Sequence, residues 1–157
     1  MTQTVTSETT GTATAAPRMI FVNLVVEDVQ AARRFWSALG FGFNETFSTD
    51  DTACLVISDT IYAMLMTAER MAEFVVGEVG DPRHGGTTTL LALSCSSRQE
   101  VDDLLAKAFA AGAGEWKPRS DLGYMVGGSF VDPAGHVWEL VWMDIDAAAA
   151  AAAGQQS

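Results

Sequence analysis

A strand–helix–three-strand pattern occurs twice along this chain, the second copy offset from the first by about 69 residues. The first copy opens with Met19-Ile-Phe-Val-Asn-Leu-Val-Val26, an apolar run of the length and β-branched content of a strand buried on both faces. Asp28 then stands where a helix N-cap belongs. Val29, Ala32, Phe35 and Leu39 recur at helical spacing, and Gly40 supplies the stop. Strands are predicted at 42–47, 53–58 and 61–66. The second copy repeats the plan. A strand is predicted over 88–95, Ser97 and Glu100 have capping-box spacing, and Val101, Leu104, Leu105 and Ala108 form a helical stripe ended by Gly112. Strands follow at 115–117, 124–131 and 136–143, the last two joined by the turn Asp132-Pro-Ala-Gly135.

Each module thus pairs one helix with a small sheet, and a helix covers only one sheet face. The uncovered face must find a partner, which the second module supplies, so the fold class is α+β with two βαβββ modules and a cleft between two curved sheets. Module one spans 19–66, a glycine-bearing linker 67–88 and module two 89–143, within a single domain of 19–146. A short helix is expected near 68–74 in the linker, which serves as a cleft cover or a tether. Residues 1–17, rich in Thr, Ser, Ala and Gly, are expected to form a disordered tail. Residues 147–157 are low in complexity, and their alanine run favours a frayed helix.

The resemblance rests on three stretches: Val22-Asn-Leu-Val-Val-Glu-Asp28, Ala32-Arg-Arg-Phe-Trp-Ser-Ala-Leu-Gly-Phe41, and Phe130-Val-Asp-Pro-Ala-Gly-His-Val-Trp-Glu-Leu-Val141. They resemble the vicinal oxygen chelate superfamily, the group of glyoxalase I, bleomycin-resistance proteins and extradiol dioxygenases. The likeness covers 19–143. It implies an eight-stranded, open, barrel-like pair of sheets around one cleft. It also implies a homodimer, and metal ligands on the first and last strand of each module. It supports the fold far more than any one reaction, because unrelated chemistries share this architecture.

Strand alternation shows what this sequence puts at those ligand positions. Trp138, Leu140 and Trp142 share one face of the last strand, suited to packing under a helix. Glu139 shares the cleft-facing side with Val137 and Val141. The positions implied by the resemblance read Phe21, Met64, Leu90 and Glu139. Three of the four are unsuited to zinc, iron or manganese, which take His, Cys or carboxylate. A full metal site is therefore disfavoured, and no cofactor is expected. The chain has two histidines. His84 lies in the linker, and His136 is expected to be a surface turn residue on the face opposite Glu139.

Glu139 is the candidate catalytic residue: a general base, a hydrogen-bond acceptor for ligand, or a structural partner of a polar neighbour. A buried carboxylate standing alone would have a raised pKa suited to acid–base work. Phe21, Asn23, Tyr62, Met64, Met66, Leu90, Tyr124 and Glu139 are the candidate ligand-binding set. Asn23 either orients a ligand or bonds to Glu139 or backbone. Cys54 and Cys95 read as reduced core or cleft residues that behave as small apolar side chains.

The formal net charge of −11 would repel nucleic acid and anionic lipid. No apolar run reaches the roughly 18 residues of a membrane span, and no basic stretch followed by an apolar core opens the chain, so a cytoplasmic location is expected. The leading expectation is a small-molecule binding protein similar to the bleomycin-resistance branch, without a full metal site. The alternative is a metal-dependent lyase or dioxygenase similar to glyoxalase I. A metal-free enzyme using Glu139 as a proton carrier is a third; any enzyme here would be a lyase, isomerase or dioxygenase.

Overall fold

The structure, a computed structural model, describes residues 16–154. Residues 1–15 of the tail expected over 1–17, and the last three residues, lie outside it. Module one contains β1 (Ile20–Val25), α1 (Val29–Ala38), β2 (Gly42–Phe43), a 3₁₀ turn (Glu45–Phe47), β3 (Thr52–Val56) and β4 (Ile61–Met66). The linker carries α2 (Ala68–Met71). Module two contains β5 (Leu90–Ser94), α3 (Arg98–Ala110), β6 (Gly114–Glu115), β7 (Ser120–Asp121), β8 (Met125–Val131) and β9 (Val137–Met143). The terminal helix α4 (Ile145–Gly154) follows.

The strands form two sheets, ordered β1-β4-β3-β2 and β5-β9-β8-β6, with β7 also on β8. In each sheet the module's first strand runs parallel to its last, and the remaining pairs are antiparallel. The fold is α+β and the barrel is not closed. The described residues hold nine strands rather than eight, because the segment before Tyr124 contributes the short β7.

Capping fixes where the helices begin. Asp28 Oδ1 accepts from the backbone N–H of Gln30 (2.8 Å) and Ala31 (3.0 Å). Ser97 Oγ accepts from Glu100 N–H at 3.1 Å, and the Glu100 carboxylate takes bonds from Ser96 N–H and Oγ–H. Gly40 and Gly112 follow α1 and α3 with φ of 97° and 106°, a backbone that costs a residue with a Cβ but not glycine. The region predicted as one strand over 42–47 breaks after Phe43. Asn44 turns the chain by accepting Thr46 N–H at 3.0 Å, a local side-chain bond that outcompetes the ladder.

Both helices share one core. Trp36 of α1 meets Trp138 of β9 edge-on at 4.5 Å, and Phe35 lies 6.0 Å from Phe130 of β8. A module-one helix therefore packs on module-two strands. Leu24, Leu65, Val101, Leu105, Val126 and Leu140 complete this layer. Asp132 is buried there, accepting from Ala134 N–H (3.0 Å), His136 N–H (2.9 Å) and Trp138 Nε1–H (3.0 Å). Burial pushes its carboxyl upward, opposed by His136 and those donors.

His136 departs from its expected place at the surface. It is half-buried, and its Nε2 lies 2.7 Å from the Val25 carbonyl, so Nε2 carries the proton and links the modules.

Candidate functional site

The helix-packed side of each sheet leaves the other side open. On β1, Leu24 is buried in the core while Phe21 and Asn23 are exposed on the opposite face. On β9, Trp138 and Leu140 are buried while Glu139 is half-exposed. Glu139 is thus partly buried, on the face opposite the core.

Register sharpens the rows on these faces. Phe21 sits beside Tyr62, and Asn23 beside Met64. In the second sheet Leu90 sits beside Val137, and Ala92 beside Glu139. The residue next to Met64 is therefore Asn23, and the one next to Glu139 is Ala92, each one pleat along from Phe21 and Leu90.

A cavity of about 340 Å³ opens on the module-one face, lined by Phe21, Asn23, Phe47, Thr49, Thr52, Met64, Met66, Arg70 and Phe74. Its floor is β1, β3 and β4; its walls are the 3₁₀ turn and the segment around α2. The Phe21 and Tyr62 rings stack at 5.0 Å and 12° beside it. Such rings and thioethers suit a flat organic molecule, the rings by stacking and Met by its adaptability. A larger hollow of about 430 Å³ lies along the edge of β1 under the linker, but consecutive residues Val22–Val25 line it, so it meets the strand's edge rather than a side-chain face.

Of the eight residues expected to bind ligand, four line the module-one cavity: Phe21, Asn23, Met64 and Met66. Tyr62 stacks against it. Leu90 and Glu139 lie on the other sheet, and Tyr124 precedes β8, where its carbonyl accepts Asp144 N–H at 2.8 Å. No hydrogen bond joins Asn23 to Glu139 among the described residues; they belong to different sheets. The sequence did not single out Phe47, Thr49, Thr52, Arg70 or Phe74. Four of these five come from a 3₁₀ turn, a loop and the segment in and just after a four-residue helix, with no periodicity to read. The usable signal was Thr67 ahead of α2, whose Oγ1 caps Arg70 N–H at 3.2 Å.

The family model described as bleomycin resistance protein-like N-terminal matches residues 18–58. Three solved structures superpose over most of the chain. One is a glyoxalase/bleomycin resistance protein/dioxygenase family enzyme from Burkholderia phytofirmans, with TM-score 0.65, 21% identity, and 79% of this chain and 97% of that chain covered. A glyoxalase-related enzyme from Fulvimarina pelagi gives TM-score 0.67 and 22% identity, covering 81% and 88%. A fosfomycin resistance protein, FosX, from Listeria monocytogenes gives TM-score 0.61 and 18% identity, covering 84% and 98%. This is the vicinal oxygen chelate fold. No curated protein matches the chain in sequence.

The vicinal oxygen chelate fold makes a metal ion the natural question at Phe21, Met64, Leu90 and Glu139. The donor chemistry does not fit one. A phenyl ring and an isobutyl group donate nothing, a thioether is a poor ligand for zinc, iron or manganese, and one carboxylate does not hold an ion. Moving one pleat along each first strand substitutes Asn23 and Ala92, which adds one amide. Among the described residues no three His, Cys, Asp or Glu side chains cluster as a cation site.

Proposed function

We propose that this protein binds a small organic molecule on the open sheet faces without a chelated metal, in the manner of the bleomycin-resistance branch, as a cytoplasmic homodimer. The carrying observation is the module-one cavity. It is built of aromatic rings, methionines and a few polar groups, with no metal-donor set behind it. The family-model match over 18–58 covers β1, the 3₁₀ turn and β3, three of the elements that frame this cavity.

Module one presents Phe21, Tyr62 and Met64. Module two presents Ala92, Ser94, Gly127 and Val141, with Glu139 among them. Exposed apolar side chains on both faces, Phe21 on one and Leu90 on the other, suit a cleft closed by a second copy, with Glu139 of one chain meeting a ligand held by module one of the other.

The test is ligand-induced thermal stabilisation of the full chain against a panel of aromatic and heteroaromatic small molecules in excess chelator. The expected result is stabilisation that persists in chelator and falls at least tenfold in apparent affinity on Phe21→Ala. Stabilisation that appears only with added divalent metal, and is lost on Glu139→Gln, would favour a lyase or dioxygenase instead. The half-exposed position of Glu139 on the open face is the observation that keeps that reading in view.

A further inference from the structure

We infer that the ligand of the module-one cavity is an apolar, aromatic molecule carrying a single negative charge, with Arg70 as the group that reads the charge. The inference rests on the proposed small-molecule reading and adds its chemical class.

Arg70 is the one charged side chain lining this cavity; its remaining lining is apolar or neutral. The chain as a whole carries 20 acidic and 9 basic residues, so a cavity whose lining is cationic runs against the composition. The other hollows differ. The one beside α1 is lined by Glu27, Asp28 and Asp132, and that under the linker by Asp81 with His84 and His136.

The guanidinium also has donors to spare. Its one side-chain bond among the described residues runs from Nη1 to Glu73, three residues along, where the carboxylate is 60% exposed. A pair of that kind is screened by water and contributes little. Nε–H and Nη2–H have no such partner. A guanidinium presents five N–H donors in a planar fork that matches a carboxylate. Arg33, Arg83, Arg98 and Arg119 differ, each joined to an acid at least 12 residues distant. Arg70 also lies over the Phe74 ring, 5.1 Å from its centroid, which holds the side chain toward that wall.

The nearby acid Asp51 is already engaged. Its Oδ1 accepts from Thr49 Oγ1 (2.6 Å) and Thr52 Oγ1 (3.0 Å), bonds that with Arg70's charge hold its carboxyl below the usual range. A bound carboxylate would thus meet Arg70 at one end while Phe21, Phe47 and Met64 take the ring.

The experiment titrates the full-length protein with three isosteres: 2-naphthoate, 2-naphthamide and (2-naphthyl)methylammonium. Wild type, Arg70→Gln and Arg70→Lys are compared. The expected result is naphthoate binding about tenfold tighter than naphthamide in wild type. That preference vanishes in Arg70→Gln, is partly kept in Arg70→Lys, which has the charge without the fork, and shrinks as salt rises. Equal affinity for naphthoate and naphthamide, or tightest binding of the ammonium, overturns the assignment of charge and leaves the apolar cavity standing. Failure of all three to bind wild type removes the cavity reading itself, and this inference with it.

Discussion

At Gly128 the chain has room for a hydrogen and little else. A Cβ built there would lie 2.4 Å from Leu105 Cδ1 and 3.2 Å from its Cγ, so α3 rests directly on the β8 backbone. Gly128→Ala should destabilise the protein by about 1–3 kcal/mol through overpacking, seen as a lower urea midpoint with unchanged slope; an unchanged midpoint would show that Leu105 yields freely. Residue identity was legible wherever strand alternation governs it. The apolar stripe Trp138 and Leu140 on one side, with Glu139 on the other, follows from period two. Cys54 shows the limit. It shares its face with Met64, its partner across the ladder, yet it is wholly buried. The 44–48 turn folds over it: Cys54 N–H bonds Ser48 Oγ at 3.0 Å, and Asn44 N–H bonds the Cys54 carbonyl at 2.9 Å. Burial pushes that thiol upward, as befits an inert core residue. Nothing in the local pattern announces such a turn. Arg70 and Phe74 escaped notice for the same reason: what brings them to the cavity is the path of the chain, not a repeat.

Helix starts were the most readable elements, because capping is local chemistry. For α3, Ser97→Ala should cost about 1 kcal/mol, measured by chemical denaturation. The Glu100 carboxylate, held below its usual range by the Ser96 hydroxyl and N–H, adds a pH signature. A depressed folded pKa means its contribution is complete above the unfolded value near 4.5 and lost as pH falls through the folded value. Glu100→Gln should therefore flatten the acid limb of stability below about pH 5; an identical acid limb in both proteins would contradict it. Short strands were the least readable. The strand expected over 42–47 gave way at Asn44, and β7 was not foreseen, because two-residue ladders are set by the neighbouring strand rather than by their own side chains. The alanine-rich end forms α4, with Asp144 Oδ1 accepting Ala147 N–H at 3.0 Å, a cap that went unremarked.

The whole molecule is two sheets joined through their helices, with an open face on the side of each sheet that the helices leave bare. Its modular plan was visible in the repeat, and the shared aromatic core of Trp36, Phe130 and Trp138 shows how the copies join. What the repeat did not show is that the cavity is lined by module one and the linker, while Glu139 and Leu90 sit on the other sheet. Phe21, Phe47, Phe74 and Leu90 are each close to half exposed or more, and such apolar surface calls for cover. Light scattering on eluting protein should give twice the chain mass of 16.7 kDa, and a monomer would leave the two open faces unopposed. We propose that the fold is kept here without a chelated metal. The test is elemental analysis of the purified full chain after incubation with zinc, iron, manganese and nickel. Far less than one equivalent of any metal should be bound, unchanged by Glu139→Gln; one bound equivalent that disappears in Glu139→Gln would overturn the proposal.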